Sequence, residues 1–436
     1  MTGDLSDTTA LLSVDETGLD SAVRRQYSAR TPLSAGYYQR TLGALAGGTS
    51  RQTAHWFPYP VTMTHGRGCR IWDVDGNEYI DLINNYTSLI HGHAYEPAVR
   101  VISDRVSKGL AWSANNLDQV QLAEEIVGRV ASVDAVRFTN SGSEAAALAL
   151  QIVRAATGRS KLLMARSGYH GSIHEFQLGS LNRTGPYTLI AKFNDVASFR
   201  EQLDQHGSDI AGVFLEPMLG AGGVLCAKPD FLRAVIQATH AAGALLVLDE
   251  VQTFRMATGG LQQVLGVTPD LTMFGKFVGG GLPLGAVGGH RDLMELFKPE
   301  NLRVYHSGTF NGNPIAAAAG YVTVHDLTSE KIGYMEQLAG RLRAGLHSAA
   351  SHFGMPLTVN QLGSLLNIFF MESAPETAWT RTDQSTMQRF HLASLNHGVF
   401  FAHRGFLVLS TAMTEADIDE ALARLHDAMA DVMAEL

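Results

Sequence analysis

Apolar positions recur along this chain with two different spacings, and the spacing in force changes from segment to segment. From about residue 118 to 325, helical and strand-like patterns alternate. In QVQLAEEIVGRV, Leu122, Ile126, Val127 and Val130 share one face of a helix. KLLMAR, IAGVFLEP and GALLVLDE are instead short, continuously apolar runs, as in strands buried on both faces. Such strands alternating with helices predict a mainly parallel sheet joined by right-handed crossovers. Earlier, CRIWDVDGNEYIDL (69–82) alternates about Asp75 and Gly76, a tight-turn pair, and predicts a hairpin. Beyond about residue 330 the texture changes. Met335, Leu338, Leu342 and Leu346 mark a long amphipathic helix, and GSLLNIFFM reads as a strand. Ile418, Leu422, Leu425 and Met429 mark a closing helix behind the capping pair Thr414 and Asp417. The fold class expected is α/β. A large domain over 96–328 carries a mainly parallel sheet wrapped by helices, and 329–436 forms a smaller α+β domain. Residues 1–95 contribute to the small domain and to the entrance of a site.

Composition narrows the partners. The 436 residues are 45% hydrophobic and 17% charged, enough apolar material for one large core or two smaller ones. With 33 basic residues against 42 acidic, the net charge of -9 offers no basic footprint for nucleic acid or an anionic membrane. The opening MTGDLSDTTALLSVDETGLD lacks the charged-then-apolar order of a signal peptide, and no apolar run is long enough to span a bilayer. Two cysteines, Cys69 and Cys226, are too few for a disulfide framework, which fits the cytoplasm.

Candidate chemistry gathers where an open parallel sheet binds ligands, beyond the carboxyl ends of its strands. RFTNSGSEAAALAL runs from a short strand through Ser141, Gly142 and Ser143 into a helix, with Ser141 and Glu144 at capping-box spacing. That start is either an ordinary capped helix or a phosphate site built from unpaired amides. LLVLDEVQ ends a buried strand in Asp249 and Glu250, which must face opposite ways. A carboxylate there could coordinate a metal, cap the next helix or hold a protonated ring nitrogen. His91-x-His93 and His170-x-x-x-His174 lack the further ligands of a metal site, and no metal is expected; these histidines read as packing or hydrogen-bonding residues. LTMFGKFVGGGLPLGAVGG sets Lys276 among seven glycines with no carboxylate in the stretch. An apolar pocket disfavours the ammonium and frees an amine that can attack a carbonyl, although a lysine snorkelling to the surface gives the same pattern. Helix-start amides, an aromatic loop (SGYHG), a strand-end acid and a lysine are together the groups that pyridoxal phosphate requires.

The set NSGSEA, GYHG, LEP, LDEVQ, FGKFVGGGLPLGAVGG and HSGTFNGNP resembles the class III aminotransferases of fold-type I, from about residue 40 to the C-terminus. The resemblance implies that Lys276 bonds the cofactor's aldehyde carbon and Asp249 the ring nitrogen. Ser141, Gly142 and Ser143 would cradle the phosphate, with Thr309 reaching it from the neighbouring subunit of a homodimer. Tyr169 and Val251 would cover the two ring faces, Gln252 would bond the ring hydroxyl, and Glu216 of LEP would belong to the cofactor site. Kinetics would be ping-pong, an amino acid giving its amino group to the enzyme and a 2-oxo acid receiving it.

Two segments, GGTSRQTAHWFPYP (47–60) and FFAHRGFLVLS (400–410), resemble the β-amino-acid branch of the class, where arginines at the positions of Arg51 and Arg404 bind carboxylates. Arginine suits a bidentate carboxylate clamp. The aminomutases that act on glutamate 1-semialdehyde have a glutamate where His403 stands. Tyr86, with Trp56, Phe57 and Tyr59, either lines a side-chain pocket or belongs to the core. The expected activity is transfer from a β-phenylalanine-like donor to 2-oxoglutarate or pyruvate. An intramolecular aminomutase is the second reading, and a cofactor-binding protein with a regulatory role the third.

Overall fold

The computed structural model describes residues 21–180, 184–375 and 383–436, so the leading acidic segment 1–20 lies outside it. The chain forms two compact units. One takes the described residues up to Asn84, Met335–Ala374 and the chain from 383 onward; the other is Asn85–Tyr334 with Pro375.

The larger unit is built on a seven-stranded sheet: β1 (Ala135–Thr139), β2 (Lys161–Ala165), β3 (Thr188–Ala191), β4 (Ile210–Leu215), β5 (Leu245–Asp249), β6 (Leu271–Phe274) and β7 (Gly285–Gly289). Their order is β1-β7-β6-β5-β4-β2-β3. Only β7 runs against its neighbours. Ten residues join β6 to β7, too few for the helical crossover a parallel partner needs, so the chain returns beside itself.

Alternation, offset once in β4 by an irregularity in its pairing with Lys161 and Leu162 of β2, explains the continuous apolar runs. Ala211 and Phe214 of β4, Leu162 and Met164 of β2, and Val247 of β5 face helix α1 (Gly142–Thr157). Ile210, Val213, Leu163, Leu246 and Leu248 face α2 (Val196–His206) and α3 (Pro229–Ala241) on the other side. A strand covered on both faces has no position left for a polar side chain until it ends. The helix α4 (Pro314–His325) is buried along most of its length, as its run of alanines permits.

In the smaller unit, Arg70–Asp73 and Glu78–Asp81 form the predicted hairpin. Asp75 in its turn accepts hydrogen bonds from the Leu33 and Ser34 amides and from Ser34 Oγ. The segment after residue 20 folds as two helices, Ala22–Arg30 and Pro32–Ala44. Leu365–Phe369 forms the central strand of a three-stranded sheet, and Glu415–Met433 is the closing helix, with the capping box of Thr414 and Asp417 in place. Among the described residues no helix is long and apolar enough to cross a membrane.

Candidate active site

Five parallel strands of the large unit end at the same edge of the sheet, and each carries one of the expected residues just beyond its carboxyl end. β1 leads to Ser141, β2 to Tyr169, β4 to Glu216, β5 ends in Asp249, and β6 leads to Lys276.

Ser141 is the N-cap of α1, and its Oγ accepts the Glu144 amide at 3.1 Å. The return bond of a capping box is displaced by one residue: Glu144 Oε2 accepts from the Asn140 amide at 2.8 Å. The cap leaves Gly142 and Ser143 at the positive end of a 16-residue helix, where an anion is favoured. A β-carbon on Gly275 would lie 3.2 Å from Val251 Cγ1 and 3.6 Å from the Gly142 α-carbon. The helix start, the residue after the strand-end acids and the residue before Lys276 therefore meet. Ser143 Oγ also accepts the Ser172 amide at 3.1 Å, which joins the Tyr169 loop to the same helix start.

Lys276 is half-buried and adopts φ 55°, the left-handed region that costs a side chain about 1 kcal/mol or more. It opens a short turn, Lys276–Gly279, seated against α4. Asp249 is buried, with Oδ2 2.8 Å from His170 Nδ1 and Oδ1 accepting the Val251 amide at 3.0 Å. Burial alone would lower the His170 imidazole; the hydrogen bond and charge of Asp249 outweigh it and hold the group above its ordinary value. Glu250 faces the other way. Its carboxylate takes the Thr253 hydroxyl and the Leu261 and Gln262 amides, so it caps the next helix.

Glu216 accepts the amides of Tyr169 at 2.8 Å and Gly220 at 3.2 Å, and burial pushes its carboxyl up to about 7. The Tyr169 ring is exposed, with its hydroxyl 3.3 Å from Ser172 Oγ. Gln252 fills the space where a side chain at Gly220 would sit. Thr309 is exposed in the turn before α4.

Tyr86 lies in a turn, Asn84–Thr87, whose four residues all have positive φ. Arg51 and Arg404 belong to the smaller unit. Arg51 is exposed ahead of the turn Gln52–Ala54, and the Arg404 guanidinium lies 5.2 Å over the Phe406 ring. His403 beside it is lowered to about 4 by burial and by Arg404. The sequence pattern does not reveal that His170 partners Asp249; its only signal is its place beside the aromatic residue of SGYHG. His91 of the other histidine pair bonds the Thr323 carbonyl.

An amine on a strained turn, a buried strand-end carboxylate and a helix N-terminus, all at one sheet edge, fit the aldehyde, ring nitrogen and phosphate of pyridoxal phosphate. The comparisons agree. The family model of the class III aminotransferases matches residues 51–429. A β-phenylalanine transaminase of Variovorax paradoxus is 36% identical over 407 residues, covering 92% of this chain and 93% of its own. A glutamate-1-semialdehyde 2,1-aminomutase of Aquifex aeolicus is also 36% identical, over 86% of this chain and 93% of its own. A solved transaminase with pyridoxal phosphate bound superposes with a TM-score of 0.88 at 32% identity, covering 93% of this chain and 99% of that one. Site geometry, fold and likeness lead to one conclusion: the chain belongs to the class III aminotransferases and is a pyridoxal-phosphate-dependent enzyme of fold-type I.

Proposed function

We propose that this enzyme moves the amino group of a β-amino acid with an aromatic or aliphatic side chain to a 2-oxo acid such as 2-oxoglutarate or pyruvate. The observation that carries the reading is Arg404, set in FFAHRGF with a buried imidazole rather than a carboxylate as its neighbour. The planar fork of a guanidinium suits a substrate carboxylate. Arg51 receives the carboxylate of the other substrate, and Tyr86 helps wall the side-chain pocket. The likeness to the Variovorax enzyme supports this choice.

When bound, pyridoxal phosphate supplies an electron-accepting ring that stabilises negative charge at the carbon bearing the amino group. Around it the chain's residues divide the work. Lys276 would hold the aldehyde carbon, and once the substrate's amine takes its place there the freed Lys276 amine would take the proton from the substrate carbon and return it on the cofactor side. Asp249 would hold the ring nitrogen, Tyr169 and Val251 would confine the ring, and Gln252 would bond its hydroxyl. The amides of Gly142 and Ser143, with the Ser141 and Ser143 side chains, would take the phosphate. Thr309 reaches that phosphate from a second subunit. Exposed Tyr305 and Phe310 flank Thr309 in the chain, and the Asn313 side chain donates to the carbonyl of exposed Leu110, which supports a homodimer with shared sites. The free thiols of Cys69 and Cys226 suit a reducing cytoplasm.

The equal identity to the Aquifex aminomutase keeps intramolecular amino transfer as a second reading. A donor and acceptor panel followed by single-turnover absorbance separates the two. The expected result is that β-phenylalanine bleaches the bound cofactor's long-wavelength band and that a 2-oxo acid restores it. Conversion of glutamate 1-semialdehyde without any acceptor, and no response to β-amino acids, would establish the aminomutase instead.

A further inference from the structure

Behind the sheet edge lies a group of buried ionisable side chains that touches none of the reacting atoms in the scheme above. His170 is fully buried, packed between the rings of Phe176 and Phe214 at 5.4 and 6.2 Å. Its Nδ1 lies 2.8 Å from Asp249 Oδ2. The same loop, one residue earlier, donates the Tyr169 amide to Glu216 Oε2, and Glu216 Oε1 takes the Gly220 amide. Gly220 in turn is the surface against which the Gln252 side chain lies. One carboxylate thus fastens both the loop that carries Tyr169 and the turn on which Gln252 rests. The imidazole that orients Asp249 hangs from the same loop. The charged groups acting on Glu216 are His170 and Asp249, with opposite signs of effect.

We infer that Glu216 and His170 are positioning residues, a buried clasp that sets Tyr169, Gln252 and Asp249 against the cofactor ring and fixes the charge behind it. This assigns Glu216 a place one step back from the cofactor rather than in contact with it. The geometry gives two reasons. Both Glu216 oxygens are already spent on backbone amides, so the carboxylate has little left for a ligand. And a buried acid retained among apolar walls is costly unless its bonds accomplish something, here the joining of the Tyr169 loop to the hairpin turn that follows Met218–Leu219. Burial pushes this carboxyl up to about 7, so its charge is the adjustable member of the trio, while the hydrogen bond and charge of Asp249 raise the His170 imidazole above its ordinary value.

The inference rests on the proposed place of Asp249 at the ring nitrogen, and the test separates the two. The holoenzyme is titrated between pH 5.5 and 9 by the bound cofactor's absorbance in the wild type, Glu216→Gln, His170→Asn and Asp249→Asn. Exchange of the Tyr169 and Gly220 amides is followed in the first two. Glu216→Gln removes a negative charge from behind the ring, so the spectral midpoint falls by about one pH unit. His170→Asn keeps a donor to Asp249 and adds no positive charge, so its midpoint does not fall. In Glu216→Gln one of the two amides loses its acceptor and exchanges about tenfold faster. Midpoints that move the same way in both variants, or exchange and midpoint both unchanged in Glu216→Gln, overturn the inference. Should Asp249→Asn leave the midpoint where it was, the placement of Asp249 itself fails.

Discussion

Asp249 and Glu250 are neighbours, both buried, and a strand turns their side chains to opposite faces. One consequence is a division of labour that the pair of letters alone leaves open: Asp249 meets His170 at the ligand edge, and Glu250 spends its oxygens on the Thr253 hydroxyl and two helix-start amides. Burial has the reverse effect on a base. His391 bonds the Phe401 carbonyl and is lowered to about 3 by its burial and by nearby His403. Because the folded state resists protonating this imidazole and the unfolded chain does not, its contribution is complete above about pH 6.5 and is lost as pH falls toward 3. His391→Gln cannot take up that proton. The stability difference between pH 7 and pH 5, from urea unfolding, therefore shrinks by about 2 kcal/mol in the variant. An unchanged difference would show that His391 does not titrate with unfolding.

Elements with a single strong period were legible and those without one were not. Buried β4 and β5 announce themselves because no polar residue interrupts them, and the helix Glu415–Met433 because its cap and its apolar face coincide. The strand GAVGG carries no period, and its antiparallel course follows from the short connection instead. The turn Asn84–Thr87 is equally silent in sequence: asparagine tolerates a left-handed backbone, but Tyr86 and Thr87 do not advertise one. The Lys276 turn depends on an element far away in the chain. Gly320 of α4 presents its bare α-carbon to the Val278 carbonyl oxygen, and any β-carbon there would overlap that oxygen and press on Leu122. Gly320→Ala should destabilise the fold by about 1–3 kcal/mol and displace the Lys276 turn. The check is thermal unfolding together with cofactor retention on dialysis. A variant that melts like the wild type and keeps its cofactor would mean that the turn is not seated on α4.

At the scale of the whole molecule, the site draws on residues from 141 to 276 that only the topology brings together. Their order in sequence is readable because each follows a strand of the same sheet and the strands point one way. That regularity made the strand-end cluster legible, from Ser141 through Asp249 to Lys276, where the cofactor is proposed to bind. It says nothing about the groups behind the site, because His170 and Glu216 act through bonds across loops and no local pattern encodes their partners. Substrate choice is harder still: Arg51 and Arg404 sit in the smaller unit, outside that sheet, and the same 36% identity links the chain to a transaminase and to an aminomutase. Reduction of the holoenzyme with borohydride, followed by peptide mass spectrometry, tests the central assignment most directly. The account predicts that the reduced cofactor is found on Lys276 and on no other lysine; finding it on a different lysine, or finding Lys276 unmodified while the chromophore is lost, would contradict it.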